Sequence, residues 1–102
     1  MGRIEQAEDG LSAKQRGLLL WCLKYVEAME ARRDDLALQC LEQGIPWKPA
    51  HRTAAARAAT SRTLLRLEER GLIERVAPGG RTKAIKVTPL GRLVALKMKE
   101  PK

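Results

Sequence analysis

The side chains of this sequence that could do chemistry are mostly cationic, and they are concentrated in its second half. Residues 1–50 contain seven Lys and Arg against eight Asp and Glu, whereas residues 51–102 contain thirteen against four. The net charge of +8 is therefore the sum of −1 and +9. A surface that only keeps a protein soluble would mix the two signs along the chain. Separation of this kind is typical of a face that binds phosphate groups.

One group of these cations surrounds a pair of glycines. Pro78-Gly79-Gly80 is a turn sequence, and it lies between two segments that alternate apolar and polar residues, at 73–76 and 84–88. The pattern predicts a β-hairpin over residues 73–88 with a tight, charged tip that can approach DNA closely. The predicted contacts at this tip are Gly80, Arg81, Thr82 and Lys83. Lys83 is equally compatible with a solubilising charge at a strand end.

A basic helix is expected before the hairpin, over about residues 50–70. At 100° per residue, its inner stripe is Thr53, Ala56, Thr60, Leu64, Leu67 and Gly71. The opposite face is small and basic, and no acid occurs between Glu42 and Glu68. Such a face can enter a DNA major groove, although a solvated helix surface is the alternative. The predicted contacts are Arg57, Ala58, Ser61 and Arg62, with Lys48, Arg52 and Arg66 on flanking phosphates.

The first half of the chain is predicted to be helical after a flexible polar arm at residues 1–10. Ser12 and Gln15 form a capping-box pattern that opens a helix to about residue 32. Asp34 can cap a second helix that stops at Gly44, although one uninterrupted helix over residues 12–43 is the alternative. The first helix is apolar around much of its circumference, so it is either central or pairs with a second copy. The residues predicted for a homodimer interface are Leu19, Leu20, Trp21 and Leu23.

Other classes of function find little support in the sequence. The longest apolar run, residues 17–23, is far short of the roughly 20 residues that a membrane span needs. The first ten residues are too acidic for an export signal, and Cys22 and Cys40 lie in apolar patterns, so we expect a cytoplasmic protein with reduced thiols. His51 has no second ligand at metal-binding spacing. We therefore expect no metal, no cofactor, no membrane contact and no enzymatic activity.

The order of the predicted elements is that of a winged helix-turn-helix. In addition, residues 61–75, SRTLLRLEERGLIER, resemble the end of the recognition helix in MarR-type transcriptional regulators. Arg81 lies at the spacing of that family's wing arginine, and residues 88–91 match its Thr-x-x-Gly. The resemblance covers about residues 56–95. It implies a mainly α fold with a small β-hairpin (α+β). The expected architecture is a three-helix core with a wing and a C-terminal helix over about residues 89–99. All of these elements are expected to form one domain over residues 11–102.

The resemblance also implies a function, which is sequence-specific binding of double-stranded DNA by a homodimeric transcriptional regulator. Two features depart from the family pattern: Gly79 replaces the acid that usually precedes the wing arginine, and Pro46 and Pro49 interrupt the segment of the first helix of the helix-turn-helix. That helix is expected to be shortened, displaced to residues 35–43, or remodelled. The alternative functions are a winged-helix module for protein interaction or assembly, and an accessory protein for plasmid or viral DNA replication or processing.

Overall fold

Four helices and a three-stranded antiparallel sheet make up the part of the chain that the structure, a computed structural model, describes: residues 10–48 and 52–99. The elements are α1 (Ala13–Arg32), α2 (Asp35–Gln43), β1 (Ile45–Pro46), α3 (Ala54–Glu69), β2 (Ile73–Val76), β3 (Ala84–Val87) and α4 (Pro89–Lys99). The predicted α+β class and the β-hairpin are confirmed. Apart from Gly10, the predicted arm lies outside the described residues.

Two separate helices, α1 and α2, form in the first half because polar side chains satisfy the exposed amides at both starts. The Ser12 Oγ accepts from the Gln15 amide at 3.2 Å, and the Gln15 side chain accepts from the Ser12 amide at 2.9 Å. Arg33 ends α1 in the left-handed region with φ 56°, and Asp34 caps α2 by accepting from the Ala37 amide at 2.7 Å. A single helix over residues 12–43 is therefore excluded.

The end of α3 is a Schellman motif, which turns the chain directly into β2. Gly71 has φ 74°, its amide donates to the Glu68 carbonyl at 2.9 Å, and the Leu72 amide donates to the Leu67 carbonyl at 3.0 Å. At the other end, Thr53 caps the helix by accepting from the Ala56 amide at 3.0 Å, so the regular helix begins at residue 54 and not near residue 50.

The sheet has the order β1-β3-β2, with β3 in the centre. Ile85 of β3 lies opposite Ile45 on one side and Arg75 on the other. The sequence analysis predicted no strand at residues 45–46, so β1 is an addition by the structure. Pro46 is compatible with β1 because that strand lies at the edge of the sheet.

The core joins α1, Leu64 and Leu67 of α3, the start of β2, the middle of β3 and α4. The predicted inner stripe of α3 is thus buried only at these two leucines, because Thr53, Ala56 and Gly71 are exposed and Thr60 is half-buried. Its fully buried side chains include Leu19, Cys22, Leu23, Leu67, Leu72, Ile85 and Val94. The prediction of Leu19 and Leu23 as dimer-interface residues is therefore wrong, because one chain alone covers both side chains (0% and 1% exposed). Trp21 is exposed and Leu20 is half-buried, so only these two of the four predicted residues present surface to a partner.

All three aromatic residues of the chain form one cluster at the junction of α1 and β1. The Trp21 ring lies 6.5 Å from that of Tyr25 and 6.0 Å from that of Trp47, measured between centroids. The Trp47 amide also donates to the Lys83 carbonyl at 2.9 Å. Lys48 therefore directly follows a residue that is bonded to the base of the hairpin.

The last helix, α4, is fixed at its start to the turn between α3 and β2. Thr88 caps α4 by accepting from the Gly91 amide at 3.0 Å, and its hydroxyl donates to the Gly71 carbonyl at 2.6 Å. Two ion pairs then join α4 to α1: Arg92 binds both carboxylate oxygens of Glu30 at 2.6 and 2.7 Å, and Lys99 binds Glu27 at 3.0 Å. The hairpin is thus held between elements that the core fixes.

Candidate nucleic-acid interface

The outer face of α3 is held outward by the burial of Leu64 and Leu67 on the opposite side. All of the contact residues predicted on α3 are exposed: Arg57, Ala58, Ser61, Arg62 and Arg66. Arg62 and Arg66 lie opposite Leu64, whereas Arg57 lies two turns before Leu64 on nearly the same side of the helix. Arg66 forms one ion pair, with Glu69 at 3.9 Å, and both side chains are about 70% exposed, so the pair adds little stability. Within the described residues, the side chains of Arg57 and Arg62 form neither an ion pair nor a hydrogen bond. Their charges are therefore available to a partner.

The hairpin tip, residues 77–83, presents a second group of cations. The Gly80 amide donates to the Ala77 carbonyl at 3.1 Å and closes the turn, and Gly80 has φ 85°, which favours glycine there. A Cβ added at Gly79 or Gly80 would have no atom within 4 Å, so the backbone of the turn is open to a partner. Arg81 and Lys83 are exposed, and neither side chain has an ion partner in the described part of the chain.

Thr82 differs from the other predicted contacts of the tip because its side chain already has a partner. Its Oγ1 accepts from an Nη of Arg75 at 3.0 Å, and the residue is half-buried. Arg75 also donates from Nε to one oxygen of Glu68 at 3.0 Å, and its amide donates to the other at 3.3 Å. These bonds give Arg75 a structural role at the end of α3. No local sequence pattern pointed to Thr82 as its partner, because the bond depends on how the hairpin folds back.

Lys48 and Arg52 border the candidate interface from the segment between β1 and α3, and both are exposed. Residues 49–51 lie outside the described residues. In the rest of this segment there is no helix, because β1 pairs with β3 up to Pro46 and Thr53 already caps α3. The sequence analysis also allowed the first helix of the helix-turn-helix to be displaced to residues 35–43. That helix, α2, precedes β1 and packs mainly against α1 and β3. A first helix of a helix-turn-helix next to α3 is therefore not seen in the described residues.

The acids of the second half do not neutralise this surface. Glu68 is bound by Arg75, and Glu69 lies beside Arg66. Glu74 on β2 is paired in register with Lys86 on β3. Each described acid of this half thus faces a cation near the end of α3 or in the sheet. The first three turns of α3 and the hairpin tip retain their positive charge.

Other chemistry has few candidate groups in the described ranges. Burial raises the pKa of the Cys22 thiol to about 12, so this thiol stays protonated and unreactive near neutral pH. No cluster of three or more His, Cys, Asp or Glu in residues 10–48 and 52–99 could hold a metal ion. Among the described helices, none combines the length and the apolar character that crossing a membrane requires.

Comparison with known proteins identifies no relative: no protein-family model, no curated protein and no solved structure matches this chain.

Proposed function

We propose that this protein binds double-stranded DNA in a sequence-specific manner, as a winged helix-turn-helix of the type found in transcriptional regulators. In this proposal α3 enters the major groove with Arg57, Ser61 and Arg62, and Arg81 of the hairpin tip lies in or beside the adjacent minor groove. The observation that carries the proposal is the acid-free part of α3 over residues 54–66, in which Arg57 and Arg62 are exposed and unpaired among the described residues.

The dimensions and side chains of α3 suit a groove. A helix of 16 residues is about 24 Å long, and the major groove is about 12 Å wide, which admits an α-helix. Ala58 and Ser61 lie exposed between the arginines, and such small side chains let the helix backbone approach the base edges. Arg62 can donate two parallel hydrogen bonds to a guanine, whereas Arg66, Arg52 and Lys48 are better placed for phosphates.

A homodimer is part of the proposal because two copies would read two half-sites about one DNA turn, or ~34 Å, apart. Exposed apolar side chains available to a partner copy include Trp21, which is 45% exposed on α1, and Leu93, which is 50% exposed on α4. Glu27 and Glu30 bind α4 through their ion pairs, whereas Trp21 lies half a helical turn away from Glu30 on α1, so Trp21 and Leu93 are separate candidate contacts. A two-fold symmetric dimer predicts a palindromic target.

The first experiment is selection of bound sequences from a random duplex library, at low and at moderate salt. We expect an enriched palindromic motif at both salt concentrations. Replacing Arg62 and Arg81 together by Ala should weaken binding to that motif by about 100-fold or more, because one good arginine–base contact contributes about 1–3 kcal/mol. The matched control removes two exposed lysines outside the proposed interface, Lys24→Ala and Lys86→Ala, and should change affinity much less.

Two outcomes would contradict the proposal. Binding without enrichment that disappears at moderate salt would mean that the protein responds only to phosphate charge. Equal losses in the arginine pair and in the lysine pair would mean that net charge, and not the geometry of α3 and the tip, determines affinity.

The second candidate function is a winged-helix module for protein interaction. It is favoured by the exposed Leu36 and Leu38 of α2, at 60% and 54%, and by the lack of a described helix between β1 and α3. A role in DNA replication or processing shares the DNA-binding surface with the main proposal. The library selection distinguishes a protein-interaction module from a DNA-binding protein. The genomic neighbourhood distinguishes a role in DNA replication or processing from regulation of transcription.

A further inference from the structure

We propose that Arg75 is a positioning residue that holds the hairpin tip, and with it Arg81, at a fixed place relative to α3 without contacting DNA itself. This inference rests on the DNA-binding function proposed above. It assigns a role in DNA affinity to the Arg75 side chain, which is hydrogen-bonded and only 22% exposed. The proposed DNA contacts, in contrast, are exposed side chains.

One guanidinium connects three elements. Its Nε donates to Glu68 in the last turn of α3 at 3.0 Å, and one Nη donates to Thr82 beyond the turn at 3.0 Å. Glu68 also accepts the Arg75 amide of the edge strand β2 at 3.3 Å. The Arg75 side chain is only 22% exposed, so its hydrogen bonds compete less with water than those of a surface residue. The end of α3, β2 and the tip are thus held as one unit.

Little else restrains the tip. Backbone hydrogen bonds restrain it at Gly80, whose amide donates to Ala77 at 3.1 Å, and at Lys83, whose amide donates to Val76 at 2.8 Å and whose carbonyl accepts from the Trp47 amide at 2.9 Å. Among the described residues, the bond from Arg75 to Thr82 is the only hydrogen bond to a side chain of residues 77–83. Gly79 and Gly80 have no close neighbours. Without the Thr82 bond, residues 80–82 would sample more conformations, and ordering Arg81 on DNA would cost more conformational entropy.

An arginine is required for this role because its planar guanidinium presents several donors in fixed directions. A lysine at position 75 would keep the positive charge near Glu68 but could not bind Glu68 and Thr82 in the same geometry. Arg75→Lys therefore separates the charge of the side chain from its positioning function. Thr82→Val removes only the acceptor, whereas Thr82→Ser retains it.

The test is a double-mutant cycle that combines a change at Arg75 or Thr82, which hold the tip, with Arg81→Ala, which removes the proposed DNA contact. Binding is measured on the duplex that the library selection identifies. In the wild-type background, Arg75→Lys and Thr82→Val should each weaken binding by about 3- to 10-fold, the size expected from ordering one or two side chains. In the Arg81→Ala background, the same changes should have almost no effect, because the residue they position is gone. Thr82→Ser should restore most of the affinity. The matched control is Arg92→Lys, which disrupts a similar bidentate pair with Glu30 on α4.

A second measurement needs no DNA. Backbone ¹⁵N order parameters of residues 79–83 should fall from about 0.85 to below about 0.6 in Arg75→Lys and Thr82→Val. Unchanged order parameters, or equal losses of affinity with and without Arg81, would overturn the proposal. A wild-type protein that binds no duplex would refute the DNA role of Arg75 together with the proposed function, while the order parameters would still report whether Arg75 holds the tip. If Arg75→Lys does not fold, the partly exposed Thr82→Val carries both tests.

Discussion

Replacement of Gly91 by Ala should destabilise the protein because α4 lies directly on the turn between α3 and β2. An added Cβ would fall on the Leu72 carbonyl group, with the carbonyl carbon 2.8 Å and the Cα 3.1 Å away. A real Cβ essentially never approaches a backbone atom to less than 3.0 Å, so the helix or the turn must move. Leu72 and Val94 are fully buried on either side, so there is no free space to take up the movement.

The magnitude follows from three contributions. Overpacking a buried site costs about 1–3 kcal/mol and occasionally more. Moving α4 away from the turn also weakens the bond from the Thr88 amide to the Leu72 carbonyl (3.2 Å), which contributes about 1 kcal/mol. The better helix propensity of Ala offsets about 1 kcal/mol. We expect a net loss of about 1–3 kcal/mol, which lowers Tm by roughly 4–24 °C in a domain of about 100 residues.

The matched control is Gly17→Ala, which makes the same chemical change inside another helix. A Cβ at Gly17 in α1 would have no atom within 4 Å, so only the gain in helix propensity remains. This variant should be more stable than the wild type by about 0.5–1 kcal/mol, or roughly 2–8 °C. Both variants are measured by thermal and urea unfolding, followed by far-UV circular dichroism. A Gly91→Ala protein as stable as the wild type, or two variants that change in the same direction, would refute the docking of α4 described above.

Three further predictions concern single groups. Hydrogen bonds from the Ala37 amide and then from Arg32 lower the pKa of the Asp34 carboxyl in the folded protein. The carboxylate therefore contributes its full stability above about pH 4, the usual pKa of an aspartate in an unfolded chain. This contribution is lost as pH falls through the lower, folded-state pKa. Asp34→Asn should therefore lose less stability than the wild type between about pH 5 and pH 3 in acid unfolding, and parallel curves would contradict this. In a Cys40→Ser variant, the buried Cys22 thiol should react with an aromatic disulfide only as fast as the protein unfolds; rapid labelling of the native state would contradict its burial. Lys83→Ala should weaken DNA binding equally across sequences and reduce the slope of log K against log salt by about 0.9, whereas a loss confined to one motif would indicate base contact.

Much of the local structure could be predicted from the sequence because its causes lie within a few residues. Ser12 with Gln15, Asp34, and Thr88 before Pro89 satisfy helix-start amides by their own side chains. Gly71 permits the left-handed turn that ends α3. The alternation on both sides of the glycine pair specified the hairpin. The charge separation was visible in the same way, since it requires only counting.

The choice of buried side chains on α1 could not be predicted in this way. Leu19 and Leu23 are fully buried while Trp21 is 45% exposed, although all three occur in one apolar run. The helix packs against α2, α3, α4 and β1, and hydrophobic periodicity cannot rank the sides of a helix that has several partners. The dimer prediction failed at Leu19 and Leu23 for this reason. The sequence analysis did not predict strand β1 for a related reason. Two residues are too few to show an alternating pattern, and they become a strand only through pairing with β3.

The sequence by itself therefore determined the order of the helices and of the hairpin strands, most of their ends and the location of the positive charge, because each depends on neighbours in the chain or on composition. Only the tertiary structure decided which leucines are inside, that Trp47 packs on Trp21, and that Thr82 is bound by Arg75. These outcomes depend on contacts between segments far apart in sequence, or on the way a hairpin folds back on the helix before it. Residue type and spacing do not encode such contacts locally. The chain brings them about only when the core forms.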